Sequence, residues 1–416
     1  MLQGALMPPP LQAAHPGAIL RADYTNGMGP MTSTRRDFVR AAAAAGGALG
    51  LGMVAGTAGA QERGSSVRRE TVRADQPLRI LILGGTGFTG PHQVAYALAR
   101  GHTVTVFNRG RTQPTVHPDL FDRVEQLTGD RNNDLESLRG RTWDAVIDNS
   151  ASIPRWVRQT AELLKGSVGL YLFTSSLSVH PDDGRIGVTE DDPVATIADP
   201  TIERVTGETY GALKALCEEE TRKAFPNGAI IVRPHLIVGP GDNTDRFTYW
   251  PVRIARGGEV MAPGTPDDPV QYIDARDLAE FDIHLIEQRT TGTYSAVGPL
   301  APLTMAEMLY GIRAVVSNEI SFTWVDADFL EANGVQAWME MTVWLPPRGD
   351  TAGSAMFVNR RAVAAGLTYR PLAVTAKDTL DWWNAQPEER KARRRAGLAA
   401  DKEQRALALW HEREGS

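Results

Sequence analysis

The segment that most restricts the fold is an apolar run, Arg79-Ile80-Leu81-Ile82-Leu83, which leads directly into Gly84-Gly85-Thr86-Gly87-Phe88-Thr89-Gly90. Consecutive branched apolar residues followed by closely spaced glycines read as a buried strand, a tight turn and the start of a helix. Glycine permits close backbone approaches that a Cβ forbids. A helix entered through such a turn presents free amides and the positive end of its dipole to an anion. The glycines at 84, 87 and 90 give G-x-x-G-x-x-G rather than the G-x-G-x-x-G of many dinucleotide sites. With the strand before and the helix after, Gly84, Gly85, Thr86, Gly87, Phe88, Thr89 and Gly90 are expected to hold the pyrophosphate of a dinucleotide. The plainer reading is a turn whose glycines only pack.

Downstream, short apolar strands alternate with helical segments. Strands are expected at 79–83, 103–107, 124–127, 145–148, 170–174 and 229–232, and helices at 91–100, 155–164 and 208–225, with Gly101 as a helix cap. This alternation predicts an α/β chain, a Rossmann-type doubly wound parallel sheet. Beyond Pro234 the pattern loosens: a helix near 247–255 lies between glycine and proline loops, and a strand at 270–273 precedes a helix at 274–287. That return is expected to complete the sheet within 268–290. Thr304-Met305-Ala306-Glu307 is a capping box, and another helix is expected at 375–383. The organisation that follows is an extension at 1–60, a linker at 61–76, an NAD(P)-binding domain at 77–235, a smaller substrate-binding region at 236–385 and an exposed helical tail at 386–416.

The extension has its own signature. Arg35-Arg36, then Phe38, an Ala/Gly-rich run from Ala41 to Ala60 and an Ala58-Gly59-Ala60 site resemble, in that order, a twin-arginine export signal. The run is long enough to span a bilayer, but Gly46, Gly47, Gly50, Gly52 and Gly56 make it a poor anchor. Cleavage before Gln61, engagement of the twin-arginine export machinery and a periplasmic location are expected, with no stable membrane insertion afterwards. The balance of 44 Lys and Arg against 50 Asp and Glu disfavours nucleic acid as a partner. One cysteine and eight scattered histidines suggest neither a disulfide nor a metal site.

The second strand ends at Phe107-Asn108-Arg109-Gly110, about twenty residues past the turn, where an NAD-preferring site places an acid on the ribose. Here Asn108 and Arg109 stand instead, and Arg111 adds charge, so NAD(P) is expected with NADP favoured. Asp130, after the third strand, is placed to face the adenine, and Asp148-Asn149-Ser150 the nicotinamide side.

Tyr210-Gly211-Ala212-Leu213-Lys214 lies in an expected helix, where residues four apart share a face. A phenol with pKa ~10 is a weak base; a neighbouring ammonium and a cationic nicotinamide ring favour its phenolate. Tyr210 then carries the hydroxyl proton and Lys214 also holds the nicotinamide ribose. Upstream, Tyr171-Leu172-Phe173-Thr174 ends in Ser175-Ser176, at the strand end where open α/β sheets bind ligands.

The glycine turn, Phe173-Thr174-Ser175-Ser176-Leu177-Ser178-Val179, Thr189-Glu190-Asp191-Asp192-Pro193, Tyr-x-x-x-Lys and Ile231-Val232-Arg233-Pro234, taken in order, resemble the extended short-chain dehydrogenases, the NAD-dependent epimerase/dehydratase family, over roughly residues 78–290. The resemblance implies Ser176 as the substrate-orienting hydroxyl, Tyr210 as acid/base and Lys214 as the ribose lysine. Three departures stand out. His180 replaces a common tyrosine, Leu177-Ser178 replaces the acidic pair of sugar 4,6-dehydratases, and the loop from Ser176 to Tyr210 is long and acidic. Asn108-Arg109-Gly110 also resembles bacterial proteins labelled epimerases or isoflavone-reductase-like enzymes. The expected function is hydride transfer at an alcohol or ketone carbon of a small molecule, a sugar or sugar derivative, by an oxidoreductase or epimerase. The alternatives are an isoflavone-reductase-like NADPH reductase, or a non-catalytic relative that binds NAD(P) or nucleic acid. A homodimer is a compatible assembly.

One prediction follows from the strand end at Asn108. NADP should bind more tightly than NAD, and Arg109→Ala should erode that preference by removing a charge-assisted contact to phosphate. Dissociation constants for both cofactors check this; equal values in the wild type contradict it.

Overall fold

Residues 71–181 and 184–414 are described in a computed structural model. The expected export signal and its cleavage site lie outside the described residues. Six strands follow the sequence pattern closely: β1 (Arg79–Leu83), β2 (Thr103–Asn108), β3 (Glu125–Thr128), β4 (Trp143–Asp148), β5 (Val168–Thr174) and β6 (Ala229–Pro234). Ile80, Leu81, Ile82 and Leu83 are wholly buried, because helices cover both faces of a parallel sheet. Helices Gly90–Arg100, Pro154–Leu164 and Gly207–Ala224 supply the crossovers. Gly101 ends the first of them in the left-handed region at φ 92°.

After β6 come β7 (Ile237–Val238), β8 (Gly258–Pro263), β9 (Pro269–Asp274), β10 (Gly292–Ala296), β11 (Gly298–Thr304) and β12 (Ile320–Val325). The main sheet runs β10-β6-β5-β4-β1-β2-β3, with every pairing parallel. Strand order reverses between β1 and β4, so their carboxyl ends border the crevice where such sheets take ligands.

One expectation is corrected here. The strand near 270 does not rejoin the main sheet: β9 pairs with β7 and β11 in a separate three-stranded sheet. Asp274 ends that strand by capping helix Ala275–Glu287, its Oδ1 accepting from the Arg276 amide at 2.8 Å. The seventh strand is β10, which pairs with β6. The predicted capping box does form, with Thr304 and Glu307 exchanging side-chain and backbone bonds.

A second apolar core lies beneath the smaller sheets, built from Trp250, Met261, Met308 and Trp344 among others. The tail is the second correction. Helix Ala400–Glu414 is not exposed on all sides: Glu403, Ala406, Leu407 and Trp410 are buried, a stripe at helical spacing that seats on this core. The stripe opens on a charge and is flanked by Arg and Glu, which disguises it. Glu403 is held by the Arg253 Nε at 2.6 Å and by the Met261 amide at 3.1 Å.

Breaking a buried ion pair from one side leaves an uncompensated charge, at a cost of ~3–5 kcal/mol. Glu403→Leu should therefore lower the unfolding free energy by about that amount in a urea titration. The double change Glu403→Leu with Arg253→Met should recover most of it. A loss under ~1 kcal/mol in the single variant would mean that the tail is not fastened there.

Candidate active site

The glycine turn sits where β1 and β4 part. Gly84 has φ +82°, and a Cβ on it would lie 2.8 Å from the Ser150 Cβ, so glycine is what lets the two strand ends touch. A Cβ on Gly90 would fall 2.3 Å from the Gly85 carbonyl oxygen, which would break the close start of the helix. Asn108 closes the turn from β2, its amide oxygen accepting from the Thr86 amide at 3.3 Å and the Thr86 hydroxyl at 3.2 Å. Among the described residues no acceptor faces the amides of Phe88 and Thr89, and Thr89 offers the helix no side-chain cap. Unpaired amides at a helix N-terminus suit a pyrophosphate. The residues present therefore fit a dinucleotide.

Of the turn, Gly84, Thr86, Gly87, Phe88 and Thr89 line a cleft of about 980 Å³. Gly85 and Gly90 do not; they are buried, Gly85 against Val106. Asn108, Arg109 and Asp130 line the same cleft, with Arg109 exposed. One Asp130 oxygen accepts from the Asn132 amide at 2.9 Å.

Asn149 and Ser150 face the cleft as expected, but Asp148 does not. It is fully buried, gripped by both Nη atoms of Arg131 and by the Tyr171 hydroxyl at 2.7 Å. A carboxylate at this depth needs such partners. Asn149 is fixed in turn by Gln93, which it meets at 2.5 Å, and by the Thr174 hydroxyl at 2.9 Å. Gln93 donates onward to Asp282 at 2.7 Å, whose carboxyl is pushed up to about 8 by burial.

The catalytic candidates converge at the end of β5. Ser175 points inward and donates to Glu218 at 2.6 Å; Glu218 is also held by Arg233 at 2.8 Å. Ser176 lines the cleft, its hydroxyl donating to the Ser178 hydroxyl and accepting from the Ser178 amide, each at 3.1 Å. Burial pushes the nearby Tyr210 phenol above its ordinary value, and the Ser176 hydroxyl opposes that shift by favouring the phenolate. Gly211 makes the approach possible. A Cβ there would lie 2.0 Å from the Ser178 carbonyl oxygen, so only glycine lets helix Gly207–Ala224 seat on the turn after β5.

Lys214 shares the helix face but not the expected contact. Its Nζ donates to the carbonyls of Thr174 at 2.6 Å and Ala151 at 2.9 Å and lies over the Phe173 ring. Burial pulls it down to about 8. Arg246, from beyond β6, also favours the Tyr210 phenolate. His180 lies away from the cleft, bonded to the Pro193 carbonyl at 3.1 Å and to Arg233 at 3.3 Å.

The far half of the cleft was not foreseen. His235, Arg246, Trp338, Leu345 and Phe357 line it, all from beyond β6. Arg246 lies 5.0 Å from the Trp338 ring centroid, and His235 is bracketed by the carbonyls of Gln271 and Ser354, each at 2.9 Å. Burial pulls His235 down to about 4, against the two carbonyls, which favour its protonated form. Glycine and proline marked residues 239–246 as a loop in sequence; what that loop would face carries no local signal.

The chain shares 28% identity over 220 residues with the 2-alkyl-3-oxoalkanoate reductase of Stenotrophomonas maltophilia (strain K279a), covering 49% of this chain and 64% of that protein. It shares 25% over 182 residues with the UDP-glucose 4-epimerase of Neisseria meningitidis serogroup B, covering 37% of this chain and 51% of that one. It thus spans less than two thirds of the length of either relative. Among solved structures, the UDP-glucose 4-epimerase of Bifidobacterium longum with NAD+ and UDP superposes with a TM-score of 0.53 at 17% identity, covering 74% of this chain and 99% of that one. The UDP-glucuronic acid 4-epimerase of Bacillus cereus with NAD gives 0.52 at 17%, covering 73% and 96%. These likenesses show the fold. The profile of the NAD dependent epimerase/dehydratase family matches residues 80–297, which takes in the glycine turn, Ser176, Tyr210 and Lys214. The chain is an enzyme of the NAD dependent epimerase/dehydratase family.

Proposed function

We propose that this enzyme moves a hydride at an alcohol or ketone carbon of a small molecule, with Tyr210 carrying the hydroxyl proton and Ser176 orienting the oxygen. The observation that carries this reading is the seating of the Tyr210 helix on the turn after β5, through Gly211 against the Ser178 carbonyl, which puts Tyr210 and Ser176 in the one cleft that the glycine turn also lines. NAD(P) is the cofactor typical of the family, and its nicotinamide ring supplies or accepts the hydride when bound. Gly84, Thr86, Gly87, Phe88 and Thr89 would hold the pyrophosphate, and Asn108, Arg109 and Asp130 the adenosine end. Asn149, Ser150 and Lys214 would hold the nicotinamide side. In oxidation Tyr210 accepts the hydroxyl proton as the C–H bond breaks; in reduction it gives that proton to the carbonyl oxygen. Lys214 steadies the carbonyls of Thr174 and Ala151, and so the strand end that carries Ser176. A preference for NADP is supported by the absence of a carboxylate at Asn108 and by exposed Arg109.

Two substrate classes suit this chemistry. A sugar derivative is suggested by the relatives named as epimerases. An oxo acid is suggested by the relative named as an oxoalkanoate reductase, and it is favoured by the aromatic and aliphatic lining from Trp338, Leu345 and Phe357. The export signal expected from Arg35-Arg36 and the Ala/Gly run would add a constraint. Outside the cytoplasm free nicotinamide cofactor is scarce, so an exported enzyme works only if it holds its cofactor and regenerates it in place. Epimerisation and transfer between two substrates both meet that condition.

Tyr210→Phe should lower kcat by ~10²-fold or more, the scale of general acid–base catalysis, with cofactor affinity unchanged. Gly211→Ala should also lose turnover by lifting the phenol from Ser176, in a chain that still folds and binds cofactor. Near-full turnover in either variant would remove the assignment. A second test concerns the closed cycle: gel-filtered, exported protein, denatured and assayed, should release close to one NAD(P) per chain. Release far below that, with activity dependent on added cofactor, would leave an ordinary dissociating dehydrogenase.

A further inference from the structure

Most arginines buried in this chain are matched to carboxylates. Arg131 meets Asp148, Arg233 meets Glu218, Arg253 meets Glu403 and Arg370 meets Asp277. Two half-buried arginines depart from this: Arg394, which bonds the Leu398 carbonyl outside the cleft, and Arg246. Arg246 lies in the cleft, and among the described residues its side chain bonds only the Thr244 hydroxyl, through Nε at 3.2 Å. Both Nη atoms remain open. Of the nearby carboxylates, Asp245 bonds Arg390 and the Arg395 amide, and the buried Asp242 gives one oxygen to the Thr244 amide at 2.8 Å while its other oxygen has no hydrogen-bond partner among the described residues; Asp242 is felt by Arg246 through space, but no hydrogen bond joins them. Burial lowers Arg246 from its ordinary value, yet a guanidinium stays charged at any pH the protein survives.

The setting of that charge is fixed. Trp338 lies beneath the guanidinium with its backbone at φ 65°, a region a bulky residue seldom enters. Its amide is held by the carbonyls of Met341 at 3.0 Å and Trp344 at 3.1 Å. Strain of this kind persists where surrounding structure enforces it, commonly at ligand sites. Other basic groups near the guanidinium are otherwise held: two of the three Lys214 donors go to carbonyls, Arg131 is bound to Asp148, and burial pulls His235 down to about 4. Arg246 is close enough to Tyr210 to bias its proton.

We infer that Arg246 receives a single carboxylate of the substrate, so that the substrate is a small hydroxy or oxo acid with an apolar body against Trp338 and Phe357, rather than a nucleotide sugar. A guanidinium fork matches one carboxylate, whereas a diphosphate would bring two charges to this single guanidinium. This inference rests on the hydride-transfer reading for where the substrate lies, but its test is binding and not turnover.

The test uses the protein loaded with reduced cofactor and three probes in a calorimeter: 3-hydroxyhexanoate, its methyl ester and UDP-glucose. The acid should bind the wild type at least ~10-fold more tightly than the ester, which no folding defect can mimic. Arg246→Gln should lose the same factor for the acid and nothing for the ester, and Arg246→Lys should restore part of it. The phenol of Tyr210 should titrate higher in Arg246→Gln, a readout that a merely structural arginine would not move. Equal binding of acid and ester, an unchanged acid affinity in Arg246→Gln, tighter binding of UDP-glucose, or no binding of the acid would each overturn the inference. Loss of turnover in Tyr210→Phe with the acid's binding intact leaves it standing and bears only on the hydride-transfer reading.

Discussion

The contact of Gly84 with Ser150 joins the carboxyl ends of β1 and β4 where the sheet reverses its order. Everything in the cleft hangs from that meeting. It sets the direction of helix Gly90–Arg100, and so where its open amides point. It also brings Asn149 beside Gln93 and Thr174, tying the nicotinamide side to the strand that ends in Ser176. A side chain at Gly84 would part the strands and would be strained at that φ besides. The same device recurs at Gly211, where the missing Cβ brings the Tyr210 helix onto the turn after β5. Two glycines, one on each side of the crevice, thus set the distance between the cofactor turn and the proton carrier.

Charge is then managed in two ways. Below the cleft, carboxylates and guanidinia are buried in pairs, as at Asp148 with Arg131 and at Glu218 with Arg233. Such pairs contribute little net stability but become costly when one partner is removed, so they hold geometry. Inside the cleft, charge and proton affinity are left open. Tyr210 is pushed up, Lys214 is pulled down to about 8, and Arg246 lacks a carboxylate. Perturbed groups gathered in one cleft mark a working site more strongly than any one of them does. Their shared cause is burial without full compensation, which a substrate and cofactor relieve.

The first half of the fold is legible because its signals are local. Ile80 to Leu83 can only be a strand buried on both faces, and the glycines that follow name the turn. The spacing of Tyr210 and Lys214 places both on one helix face. The rest depends on contacts between segments far apart in sequence. Thr293, Tyr294 and Ser295 give β10 no apolar run, and it is a strand only because β6 offers an edge. The stripe in the last helix starts with Glu403, which reads as solvent-facing until Arg253, 150 residues earlier, is seen against it. Arg246 sits in a loop whose punctuation was plain, but nothing in the sequence says that Trp338 lies under it. The identity of Ser176 over Ser175 was legible only by resemblance; Glu218 supplies the physical reason.

The central claim is that Tyr210 is a proton carrier whose ionisation answers to the nicotinamide ring. The most direct measurement is a phenolate absorbance titration of the whole chain, without cofactor and with oxidised cofactor bound, in wild type and Tyr210→Phe. In the cofactor-free protein the Tyr210 phenol should titrate above the ordinary tyrosine value near ~10, since burial disfavours its anion. Oxidised cofactor should bring one tyrosine down toward neutrality, and Tyr210→Phe should abolish that shift. If no tyrosine moves when the cofactor binds, or if the shift survives in Tyr210→Phe, the account is contradicted.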